Sequence, residues 1–248
     1  MSSAIECIFR SFEDDFSEIQ ELKCNEKMKI NLYLCLIDGV SNFSVPNEKQ
    51  NRNRFIKTVK KFGNWKDGEL ISINQLNEFI NSDIQDMGEL KELSSKKMQE
   101  FITARLYRDG VNMVDSGFSP ISQVDILSSE FIDLWERQAG PNSNGRLNKA
   151  YINQFNHFSL LYEFRNNLVH RFQNCSGASH GIYKEPGYTA VNDLIEEDHN
   201  SHHVTLIYPI DFIEMLTVNI INNTKNSYID NGVDILQYVT DSKLWRMK

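Results

Sequence analysis

The sequence predicts a mainly α-helical protein: an up-and-down bundle forming a single domain over residues 1–248, with a short β-hairpin inserted at about 178–208. Three observations predict it. Apolar residues recur at three- and four-residue steps through most of the chain, which is the period of a helix with one buried face. Turn-forming clusters at Pro46, Asn64–Gly68, Asp109–Pro120 and Gly140–Gly145 separate the periodic stretches. Between residues 176 and 208 the period is lost, and aromatic and β-branched residues stand among Gly, Ser, His and Pro.

Residues 3–23 place Ile5, Ile8, Phe9, Phe12, Phe16, Ile19 and Leu22 at helical spacing with acidic residues between them. Residues 27–43 carry Met28, Ile30, Leu32, Leu34, Leu36, Ile37 and Val40 on all sides, so this helix is central. Asp38 lies within it, where a carboxylate is costly unless it is paired or hydrogen-bonded. Either it stands at a frayed, exposed end or it orients a cation, for which Arg165 is the candidate. After a loop around Pro46, residues 51–62 are helical through Phe55, Ile56, Val59 and Phe62. Arg52, Arg54, Lys57, Lys60 and Lys61 give that helix a cationic side. Such a side is usually solvated; its other use is contact with phosphate.

Ser72 or Asn74 caps a short helix through Leu76, Phe79 and Ile80, and Ser94 or Ser95 caps another with Met98, Phe101, Ile102 and Leu106 inward. A further helix covers about 121–138 through Val124, Leu127, Phe131, Leu134 and Trp135. The longest periodic stretch, 146–174, carries Leu147, Tyr151, Phe155, Phe158, Leu161, Tyr162, Leu168 and Val169. Gly181–Val191 and His202–Tyr208 read as two strands, joined by an acidic connection over Asn192–Ser201. Pro209 opens a helix through Ile213, Leu216 and Ile220, and a last helix covers 228–240.

Composition bounds the function. Hydrophobic residues make up 40% and charged residues 24%, enough for a real core. The net charge of −8 repels polyanions in bulk, so a nucleic-acid substrate must be met by a local basic patch. Cys7, Cys24, Cys35 and Cys175 form no CxxC pair and no disulfide framework, and read as reduced thiols. No stretch approaches the roughly 20 apolar residues of a membrane span, and the N-terminus is no signal peptide. A cytoplasmic location without membrane contact is the expectation. His199, His202 and His203 cluster before a strand, but alternation sends the last two to opposite sides, which disfavours a metal site. Cys175-Ser176-Gly177 follows a helix, the reverse of a nucleophile elbow.

The chemistry concentrates in Arg165-Asn166-Asn167-Leu168-Val169-His170, late in the 146–174 helix. An arginine beside so much apolar surface must keep its charge partnered or near water. Asn166 and His170 are four apart and share a helix face. Glu163, three before Asn166, leans the same way. One edge thus combines a carboxylate, an amide, a guanidinium and an imidazole. An imidazole moves protons near neutral pH, and a guanidinium is a permanent planar donor to phosphate oxygens. Cleavage of RNA by its own 2′-hydroxyl needs both, and needs no metal or other cofactor. The plain alternative is a buried, hydrogen-bonded Arg–His pair.

The hexapeptide resembles the signature of the HEPN superfamily: an Arg, often followed by Asn, then a His a few residues on. Here four residues separate Arg165 from His170, with Phe164 before the motif and Arg171-Phe172 after it. The resemblance is sharp over the motif helix and only architectural elsewhere. It implies a HEPN-like bundle and a homodimer whose two copies form a composite site. It also implies a metal-independent endoribonuclease, with a toxin or phage-defence role and an antitoxin or defence-system partner. In that reading His170 is the general acid or base, Arg165 steadies the transition state and Asn166 orients. Asp38, Asn167 and Glu163 support them, and Arg171, Tyr183 and Lys184 are candidates for RNA contact. The alternative is a non-catalytic HEPN module that binds nucleotide, nucleic acid or a protein partner. One subgroup carries Tyr two residues after the His as a nucleotide acceptor. Phe172 stands there in this chain and has no hydroxyl, so that chemistry is not expected.

Overall fold

The structure is a computed structural model that describes residues 2–81, 100–104, 107–108, 111–112, 117–139, 152–171, 178–192 and 202–241. It is mainly helical with small sheets. The helices are α1 (Ser2–Glu21), α2 (Glu26–Ser44), α3 (Asn51–Phe62), α4 (Ile73–Asn81), α5 (Ile121–Val124), α6 (Ser128–Ala139), α7 (His157–Arg171), α8 (Ile210–Asn231) and α9 (Leu236–Asp241). The strands are β1 (Leu70–Ile71), β2 (Tyr107–Arg108), β3 (Val111–Asn112), β4 (Phe118–Pro120), β5 (Ile126–Leu127), β6 (Ala178–Ser179), β7 (Gly187–Asn192) and β8 (His202–Ile207). Residues 100–104 are helical as well. The caps expected at Ser94 or Ser95, the 140–145 loop, residues 146–151, Phe172, Cys175 and His199 lie outside the described residues. Among the described residues no helix is long and apolar enough to cross a membrane.

The chain divides into two compact units, one of residues 1–65, 165–173 and 209–248, the other of 66–164 and 174–208. In the first, α2 is the central helix the sequence predicts. Asn25 opens it, its side chain accepting from the Met28 amide at 2.9 Å. Ile30, Tyr33, Leu34, Ile37 and Val40 are fully buried. α8 runs beside α2 in the same direction, since Tyr33 donates to Glu214 and, further along both helices, Tyr228 donates to the Phe43 carbonyl, each at 2.7 Å. α1 runs opposite to α8: Glu13 pairs with Lys225 and the Phe9 ring meets Tyr228. At the end of α3 the Phe62 and Gly63 carbonyls accept from Asn223 and Asn219 of α8.

α8 extends to Asn231, so the start of the helix expected at 228–240 belongs to it. Gly232 ends α8 at φ 60, a left-handed geometry that suits glycine at a helix C-terminus. Beyond this glycine the chain forms the short α9. The apolar period crosses Gly232 unbroken, and for this reason it misplaces the boundary.

In the second unit the expected hairpin is a true antiparallel pair, β7 with β8, in register from Gly187↔Ile207 to Asn192↔His202. It is not isolated. β4 pairs antiparallel with β7 and β6 pairs parallel with β8, giving a four-stranded sheet in the order β4-β7-β8-β6. The turn-rich reading of 109–120 therefore misses an edge strand. Gly187 lets β4 approach: a Cβ there would lie 2.4 Å from the Phe118 ring.

Two expected helices are interrupted, each by a polar residue. The 121–138 helix breaks at Asp125, which is extended at φ −89, ψ 164. Ile126 and Leu127 then pair with β1 before α6 begins. The 146–174 helix does not run through residues 152–156: a 3-10 turn at Asn153–Phe155 is followed by extended Asn156. The Asn156 side chain accepts from the Ser159 amide at 2.8 Å, so it starts α7 afresh. Phe155 and Asn156 are tied instead to Ser72 and Ile71.

Candidate functional site

Arg165, Asn166, His170 and Asp38 come together within the first unit. Nη1 of Arg165 donates to Asn166 Oδ1 at 2.8 Å and lies 3.2 Å from His170 Nε2, while Nη2 donates to Asp38 Oδ2. A guanidinium can only donate. Nε2 of His170 is therefore the acceptor, and in this geometry the ring is neutral with its hydrogen on Nδ1. Helix spacing supplies the arrangement: Arg165 and Asn166 are neighbours, and His170 follows one turn later on the same edge. α2 supplies the carboxylate, and Asn31 of α2 reaches the Leu168 carbonyl at 3.3 Å.

The members differ in access to water. Arg165 is buried, 8% exposed, while His170 is exposed. The imidazole thus reaches water and the guanidinium does not. Arg165 meets the other condition set by its surroundings, a partnered charge. Asp38 sits within α2, not at a frayed end, and its side chain keeps 25% exposure. Burial pushes its carboxyl above the usual range; the guanidinium of Arg165 pulls it back most, followed by Arg54 and His170. The folded chain thus holds this proton to higher pH than the unfolded chain, and the group favours folding more as pH falls through that window.

Glu163 and Arg171 are exposed on α7, and Asn166 and Asn167 are half-buried. Tyr183 and Lys184 belong to the second unit, where the Tyr183 ring stacks on Phe118 at 3.9 Å and Lys184 is exposed. Among the described residues no three His, Cys, Asp or Glu side chains group so as to hold a metal ion, and Cys7, Cys24 and Cys35 are free thiols.

A second polar cluster, in the second unit, escaped the sequence reading. Asp125 Oδ2 accepts from Tyr188 at 2.7 Å and meets His157 Nε2 at 2.7 Å, and Oδ1 accepts from the Ile73 amide at 3.0 Å. The one hydroxyl hydrogen of Tyr188 goes to Asp125, so Ser72 donates to Tyr188 at 2.7 Å. Burial, then the charge of Asp125, holds the Tyr188 phenol well above its usual range. The side chains of Asp125 and His157 have no solvent exposure. Sealed from water, the network ties these elements of the second unit together. Its sequence signals were Asp125 between Val124 and Ile126, and His157 heading an apolar run. Tyr188→Phe removes one donor from a buried carboxylate and should cost about 1–3 kcal/mol, read as a lowered urea midpoint.

Comparison with known protein families, with curated proteins and with solved structures gives no match. The geometry of the Arg165 cluster is what bears on function.

Proposed function

We propose that this chain is a metal-independent endoribonuclease of the HEPN type, cutting RNA as a homodimer in the cytoplasm. The observation that carries the reading is an exposed imidazole held 3.2 Å from a guanidinium that Asp38 anchors. Preorganisation of this kind suits a proton carrier. His170 takes the proton from the 2′-hydroxyl on Nε2, giving up its hydrogen bond to Arg165, or, once protonated, gives one to the leaving 5′-oxygen. The 2′-oxygen attacks phosphorus, the bond to the 5′-oxygen breaks, and a cyclic phosphate is left on the upstream fragment. One chain offers one such imidazole, and two proton transfers are needed. A two-fold dimer that joins two motif edges supplies the second. The toxin or defence role, with its antitoxin or defence-system partner, rests on the family resemblance alone.

The test uses purified protein and labelled RNA. Cleavage should persist in excess chelator, and specific activity should rise with protein concentration in step with dimer formation. Loss of activity on chelation, or full activity in a proven monomer, overturns the proposal.

A second reading is favoured by one observation: both terminal nitrogens of Arg165 are engaged and the residue is buried. In it the motif organises a helix edge of a non-catalytic HEPN module that binds RNA or a protein. RNA binding without turnover would select it.

A further inference from the structure

Within the first unit a second guanidinium stands beside the cluster, and it comes from the cationic side of α3. Arg54 Nε donates to Ser41 Oγ at 3.2 Å, and Ser41 Oγ donates to the Asp38 carbonyl at 2.6 Å. Arg54 Nη2 donates to Asn51 at 2.8 Å. These partners are a neutral hydroxyl and a neutral amide. Among the described residues no carboxylate pairs with Arg54, whereas Lys57 on the same helix is paired with Glu48. Asp38 is already committed to Arg165. Among the described residues the cluster therefore holds two guanidinium charges against one carboxylate. That local excess of positive charge sits on a chain of net charge −8. Arg54 is half-buried, so it is oriented yet retains access to water.

Resting on the RNA reading above, we propose that Arg54, and not Arg165, grips a backbone phosphate at this site, with Arg165 as the positioning residue for His170. The chemistry divides accordingly. The buried guanidinium has its terminal nitrogens occupied and holds the imidazole. Arg54, not ion-paired with any described carboxylate, keeps donors for phosphate oxygens, which a planar fork suits. The cationic side of α3 is then more than a solvated face.

The experiment titrates a short, fully 2′-O-methylated single-stranded RNA, which cannot be cut, by fluorescence anisotropy across a salt series. It compares wild type with Arg54→Gln and Arg54→Met, so that a folding defect in one variant does not decide the outcome. Loss of one phosphate contact should weaken binding several-fold at low salt and flatten the plot of log K against log salt by about 0.7. In parallel, cleavage of the unmethylated strand by Arg54→Gln should show a raised KM with kcat within about twofold, the mark of a binding contact. Affinity and slope equal to wild type in both variants overturn the assignment, as does a wild type that binds no RNA at low salt. Arg54-dependent binding with no turnover sustains the assignment and rejects the nuclease. Turnover that is lost in His170→Ala but unaltered in KM by either Arg54 variant does the reverse.

Discussion

His170→Ala should lower RNA cleavage by about 10²–10⁴-fold, the usual contribution of a positioned proton-transfer group. The folded state should hardly notice. His170 is exposed in the last turn of α7, and the Nη1 it faces retains Asn166 as a partner. The expected change in stability is within about 1 kcal/mol, read from urea unfolding. The same substitution should leave the Arg165–Asp38 pair in place, because Nη2 does not depend on the imidazole. A variant that cuts at the wild-type rate removes His170 from the chemistry. A variant that loses several kcal/mol turns the imidazole into a structural residue.

Asp38→Ala should behave in the opposite way, with a large loss of stability. It strands a guanidinium whose side chain is only 10% exposed. Breaking a buried ion pair from one side costs about 3–5 kcal/mol; the lower end applies here because Asp38 keeps some contact with water. Arg165→Ala should cost a similar amount, by leaving the carboxylate unpaired in the middle of α2. The double replacement Asp38→Leu with Arg165→Met fills the space with apolar groups of similar volume and should recover most of the loss. It should not recover cleavage, because nothing then holds the imidazole. Equilibrium unfolding and cleavage measured on the three variants separate the two contributions. Single variants as stable as wild type would mean that the pair does not hold α7 to α2.

The same contrast between packing and chemistry decides what the chain reveals by itself. Helices α1, α2 and α3 follow the apolar period almost to the residue, because nothing inside them competes with the helix. The interruptions at Asp125 and Asn156 were not legible, since each arises when a short polar side chain finds a partner that the period does not encode. Asp125 meets Ile73, His157 and Tyr188, all more than thirty residues away in the chain. Asn156 caps its own helix. Edge strand β4 was equally hidden, because a three-residue strand next to turn residues has too few positions for alternation to appear.

The site was legible in a different sense. The physical need for a partner makes Arg165 one of two readings of Asp38 from the sequence, the other being a frayed, exposed end. Which of the charges would face water was not legible. A motif spacing places residues along one edge without saying how deeply each is covered, and Arg165 proves buried while His170 is exposed. Arg54 was visible only as one charge among five on α3. Its distinction lies in the partners it has, and those depend on the packing of α2 against α3.

The most direct measurement is the chemical end left on RNA by the purified protein, determined by mass spectrometry of the fragments. A composite His170 site predicts a 2′,3′-cyclic phosphate on the upstream piece and a 5′-hydroxyl on the downstream one. It also predicts that neither forms when the 2′-hydroxyl at the cut is replaced by hydrogen or when His170 is alanine. Fragments carrying a 5′-phosphate, or cutting that survives either change, would contradict it.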